Sequence, residues 1–261
     1  MIAQTLSRRC HSKLKRMNDQ LEVRYRSFHV SAKLPKGLSR RASAPLLVYP
    51  HERWASSGLR LLVVGQETLR WQYEPLESGG TGSAIRTFGD FSAAANGVSA
   101  MWDLYRWYGL GRRYPKLNSP FWRGFRALDS AVNAEPDSAL WTNLFKVNVN
   151  GSVMENCSRA EIAKLHKAQQ GLLQHEIAVL KPDAVVFFTG PRYDSAIKAE
   201  FDGVEFQLME GLPGPTMPPS RLAWVRAPGL PAKTVRSYHP EYLQRSRQWN
   251  VISQIADWIR S

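Results

Sequence analysis

Only two cysteines, Cys10 and Cys157, occur in 261 residues. Neither a disulfide framework nor a four-cysteine zinc or iron–sulfur centre can be built from them within one chain. No apolar run approaches the ~18 residues of a membrane-spanning helix. The first residues hold no apolar stretch of the secretory kind. A Walker-type glycine-rich lysine motif, a Gly-x-Ser-x-Gly elbow and a helical histidine pair are all missing, so phosphate-loop, serine and zinc hydrolysis lack their usual residues. GGTGS, residues 79–83, falls short of a dinucleotide fingerprint, follows no strand and reads as a loop. The expectation is an intracellular, cytoplasmic, monomeric protein with no cofactor, no metal and no membrane partner.

Acidic residues are scarce at the N-terminus. Residues 1–50 hold 11 Lys/Arg against 2 Asp/Glu, or +9 of the chain's +13. Such a basic arm attracts polyanions without regard to sequence. The same composition also suits a solvated, poorly ordered tail. MIAQTLSRRCHSKLKRMN, with no acidic residue and RSFHVSA soon after, equally fits a mitochondrial presequence. The reading is an arm over 1–50 and a folded domain over 51–261.

Within the domain, apolar runs alternate with amphipathic stretches. LRLLVVG (59–65), ALWTNLFKV (139–147), DAVVFFTG (183–190) and AKTVRSYH (232–239) predict four strands, the first and third buried on both faces. Ser158 and Glu161 form a capping box that opens a helix running to Pro182. Residues 91–110, 120–132 and 249–259 carry further helical patterns, and the Pro- and Gly-dense stretch 211–231 reads as loop. Buried strands alternating with helices predict an α/β domain: a central parallel four-stranded sheet with helices on both faces.

Open α/β sheets bind ligands beyond the carboxyl ends of their strands. The first strand runs into Gln66 and Glu67, the second carries Asn143, the third runs into Arg192 and the last into His239. An amide, a carboxylate, an arginine and an imidazole therefore meet at one edge, a convergence that marks a site.

VVGQETLRW, WTNLFK, a third strand ending in TG, and YHPEYL resemble, in order and spacing, the uracil-DNA glycosylase superfamily over residues 58–261. That resemblance implies base excision from single- or double-stranded DNA by hydrolysis of the N-glycosidic bond, without a metal. It implies that Gln66 contacts the base, Glu67 orients or activates water, Asn143 reads the uracil edge and His239 stabilises the departing base. Leu243 would be the apolar wedge that enters the duplex when a nucleotide is flipped out, with Arg192, Arg245 and Arg247 on the DNA. The alternative is a nucleic-acid-binding protein of this fold without catalysis. Glu67 stands where the family has Asp, Thr68-Leu69 where it has Pro-Tyr, and Glu241-Tyr242 where it has Ser-Pro. The wall that excludes the thymine methyl is left to Trp71 or Tyr73. The ring that stacks on the base is left to Phe88, Phe91, Phe121 or Trp122.

Overall fold

The computed structural model describes residues 2–68, 71–109, 117–210 and 217–261. The apolar runs build a six-stranded sheet: β1 (Leu61–Glu67), β2 (Leu140–Phe145), β3 (Ala184–Phe188), β4 (Glu205–Leu208), β5 (Leu222–Arg226) and β6 (Lys233–Ser237), in the order β2-β1-β3-β6-β5-β4. β2, β1, β3 and β6 are mutually parallel and correspond to the four expected strands, whereas β5 pairs antiparallel with β6 and with β4. The four-stranded expectation is thus corrected to six. β5 was concealed in the stretch read as loop, of which 211–216 lies outside the described residues. β4 is an edge strand whose partly exposed side chains leave no apolar run to see.

Helices precede β1, connect β1 to β2, β2 to β3 and β3 to β4, and follow β6. In chain order they are α1 (Ile2–Ser31), α2 (Lys36–Arg41), α3 (Glu52–Ser56), α4 (Pro75–Ser78), α5 (Phe88–Ala93), α6 (Gly97–Gly109) and α7 (Pro120–Val132). After β2 come α8 (Val153–Asn156), α9 (Arg159–Gln169) and α10 (Leu172–Leu180); α11 (Asp194–Glu200) follows β3, and α12 (Pro240–Arg245) and α13 (Val251–Arg260) close the chain. The β1-to-β2 and β2-to-β3 connections step in opposite directions along the sheet. The capping box of Ser158 and Glu161 opens α9 as expected, but the helix breaks at Gly171, where φ is 71° and α10 starts anew.

The basic segment is not an appendage. Met17, Leu21, Tyr25, Phe28 and Ala32 form a buried stripe along α1, and Leu46, Leu47 and Val48 continue into the same core. α1 packs on α3, α5, α6 and α10, and Lys13, Lys15, Arg16 and Arg26 on it are exposed. The Tyr25 hydroxyl donates to Glu176 Oε1 at 2.9 Å, while Lys146 Nζ and the Thr142 hydroxyl donate to Oε2 at 2.6 and 3.0 Å. Lys146 and Glu176 are 1% and 0% exposed, so this pair is hydrogen-bonded in the interior and ties α1, β2 and α10 together. The expectation of a separate arm over 1–50 failed because surface charge masked a helical stripe. Among the described residues, no helix is long and apolar enough to cross a membrane.

Candidate active site

The sheet delivers its polar residues to the carboxyl ends of β1 and β2, where a cavity of about 240 Å³ opens. Gly65 and Asn143 are register partners across these two strands. A β-carbon on Gly65 would run into Asn143 Oδ1 and come within 3.1 Å of Phe121. Glycine therefore lets the amide lie across β1. Asn143 is 4% exposed, lines the cavity, and its amide makes no hydrogen bond within the described residues. Beside it, Gln66 Nε2 donates to the Thr189 carbonyl at 2.8 Å, which fixes the side chain against the end of β3.

His239 reaches the cavity because of where a helix starts. It is the N-cap of α12, with Pro240 at the first helical position, whose fixed φ suits it. Gly124 in α7 leaves room for the Pro240 ring, so α12 sits close against α7. The Glu241 N–H donates to His239 Nδ1 at 3.2 Å, which leaves the proton on Nε2. Burial pushes the imidazole pKa down to about 4 against a weak opposing pull from Glu241. At neutral pH the ring is an uncharged Nε2–H donor in the cavity wall. The Phe121 ring lies nearly parallel to it, at 17° and 6.0 Å between centres.

Glu67 is held by three donors. Tyr193 Oη donates to Oε1 at 2.7 Å, and Asn148 Nδ2 and the Val153 N–H donate to Oε2 at 3.1 and 2.6 Å. Burial pushes its carboxyl above the usual range, while the Val153 N–H, Tyr193, Ser152 and Asn148 pull the other way. A carboxylate offers about four acceptor positions. Most of these positions are taken up by the protein's own donors.

The remaining wall is aromatic: Trp71, Tyr108, Phe121, Trp122 and Trp141 line the cavity. Trp141 meets Trp71 and Trp122 edge to face at 5.5 and 4.8 Å, and it stacks on Tyr105 from behind at 5.1 Å. Flat apolar walls with a few polar groups on one side suit a planar heterocycle.

No family model and no curated protein matches the chain.

The structure brings Gln66, Glu67, Asn143 and His239 together and leaves the rest of the expected set apart. Leu243 is 1% exposed and faces the core, so it cannot serve as a wedge. Its neighbour Tyr242 takes the outer side of α12 instead. Arg192 is exposed but paired with Glu155 at 2.9 Å and with the Met154 carbonyl at 3.1 Å. Arg245 and Arg247 are exposed beyond the cavity. Of the wall candidates, Trp71 lines the cavity, whereas Tyr73 is buried elsewhere with its hydroxyl on the Thr81 carbonyl. Phe121 and Trp122 line it too, while Phe88 and Phe91 pack on Phe28. Leu69 lies outside the described residues. Tyr193 and Asn148, the clamps on Glu67, escaped sequence reasoning because only the fold brings them near β1. Trp141 left a visible signal, standing two residues before Asn143 on a strand.

Proposed function

We propose that this protein is a DNA N-glycosylase that removes uracil or a related damaged base. The observation that carries this reading is the convergence of the unpartnered Asn143 amide and the His239 Nε2–H donor on an aromatic-walled cavity with Glu67 at its end. The base lies between the aromatic walls. Asn143 donates to O4 and accepts from the N3 hydrogen, a pairing that cytosine reverses. Water held beside Glu67 attacks C1′ of the sugar and gives its proton to the carboxylate. The C1′–N1 bond breaks with its electron pair passing to the base, where the His239 N–H stabilises the charge gathering on O2. An uncharged histidine donates this hydrogen bond without first having to be protonated.

Incubation with single- and double-stranded oligonucleotides carrying uracil, hypoxanthine or hydroxymethyluracil, followed by alkaline cleavage of abasic sites, tests the proposal. Strand breaks at a modified base are expected. Their absence from every oligonucleotide contradicts hydrolysis.

A second reading, recognition of a base in DNA without hydrolysis, is favoured by the three donors on Glu67. They stabilise the charged carboxylate and so weaken it as a base. That reading predicts binding to uracil-containing oligonucleotides with no strand breaks.

A further inference from the structure

On the far side of His239 stands a second aromatic group. Tyr238 and Tyr242 stack with ring centres 4.0 Å apart and planes at 22°, and both are half-buried. Neither hydroxyl makes a hydrogen bond within the described residues. Successive residues of an extended segment point to opposite sides. His239 enters the cavity wall, and Tyr238 turns to the end of β3, where its ring packs on Gly190. At Gly190, φ is 72° and a β-carbon would come within 3.2 Å of Tyr238 Cδ1, so a side chain there would disturb the stack. Leu243 fills the core side of α12, which leaves Tyr242 and Arg245 on its outer side. The Arg245 guanidinium stands 5.9 Å from the Tyr242 ring centre and joins no ion pair among the described residues. Arg247, also exposed, adds a second positive charge nearby.

We infer that Tyr238 and Tyr242 form a stacking platform for the nucleobase next to the one in the cavity, on single-stranded DNA, with Arg245 taking the intervening phosphate. The inference rests on the reading that the cavity takes a base of DNA. Stacked rings beside a cation that joins no ion pair are the two elements by which proteins hold single strands without regard to sequence: the π-face takes any base and the cation follows the backbone. The occupant is single-stranded, because in a duplex the neighbouring base is already stacked and paired.

Fluorescence anisotropy with a labelled oligothymidylate and with an abasic oligonucleotide of equal length and charge separates stacking from phosphate attraction. Neither contains a base to be excised. Tyr242→Ala is expected to weaken binding to oligothymidylate about tenfold while leaving the abasic strand nearly unchanged, and Tyr242→Phe should restore the loss. Arg245→Gln should weaken both and reduce the salt slope by ~0.7. Equal effects of Tyr242→Ala on the two strands, or no effect on either, overturn the platform. Since the assay involves no turnover, a Tyr242 effect without excision sinks only the glycosylase reading. Excision without a Tyr242 effect sinks only the platform.

Discussion

The Asn143 amide oxygen occupies the space that a β-carbon on Gly65 would need. The two residues face each other across β1 and β2, so a backbone requirement on one strand sets the position of a side chain on the next. Gly65→Ala should therefore displace the amide and press on Phe121. Overpacking of this kind costs ~1–3 kcal/mol. A lower melting temperature together with lost base selectivity is expected; full retention of both would show that the contact is immaterial.

The Tyr193 hydroxyl holds Glu67 by donating to Oε1 at 2.7 Å. Removing a donor to the charged form raises a carboxyl pKa. With Tyr193→Phe, the acidic limb of the single-turnover pH–rate profile should move to higher pH while the plateau falls modestly. A limb that stays in place would mean that Glu67 does not set it.

Two imidazoles, His51 buried and His239 partly buried, contribute to stability in a pH-dependent way. Burial pushes both His51 and His239 down to about 4 from an ordinary value of 6.5. Between these values the unfolded chain binds protons that the folded chain refuses. The contribution of the two rings to stability is full above pH 6.5, falls as pH drops towards 4, and levels below. Each group contributes on the order of 3 kcal/mol over that window. Urea denaturation at pH 7, 5.5 and 4.5 measures the slope, and His51→Gln should flatten it. Glu200, which burial pushes up to about 7, works in the opposite sense over the same window, so the test is the difference between the two chains: an unchanged slope in His51→Gln would contradict the burial of that ring.

Core packing of α1 predicts a different kind of loss. Leu21 is fully buried, and truncating it to alanine should cost ~2–5 kcal/mol. A mobile arm would tolerate the change within ~0.5 kcal/mol, as surface positions do. Chemical denaturation of Leu21→Ala distinguishes the two.

Those outcomes trace which features the chain reveals before it folds. β1, β2, β3 and β6 were legible because strands buried in a parallel sheet are apolar throughout and end abruptly in Gly or polar residues. β5 was not, because Pro and Gly on either side outweighed a five-residue run. The stripe of Met17, Leu21, Tyr25 and Phe28 recurs at helical spacing, yet the charge between its members dominated the reading. Gln66, Glu67, Asn143 and His239 were legible as strand-end residues. The clamps Tyr193 and Asn148 depend on tertiary approach, which spacing along the chain does not encode. Leu243 shows the limit of motif position: α12 turns it inward, and only the helix orientation decides that Tyr242 is outside.

Release of uracil from a single-stranded oligonucleotide under single-turnover conditions tests the central claim most directly, measured for the native chain, Asn143→Asp and His239→Ala. The carboxylate of Asn143→Asp cannot donate to O4, and His239→Ala removes the donor to O2. Both rates should fall by about 10²-fold or more, with DNA affinity little changed. Asn143→Asp should also gain a weak ability to release cytosine, whose N4 amino group it can accept. Native-like uracil release by both variants, or none by the native chain, would contradict the assignment of this cavity as a base-excision site.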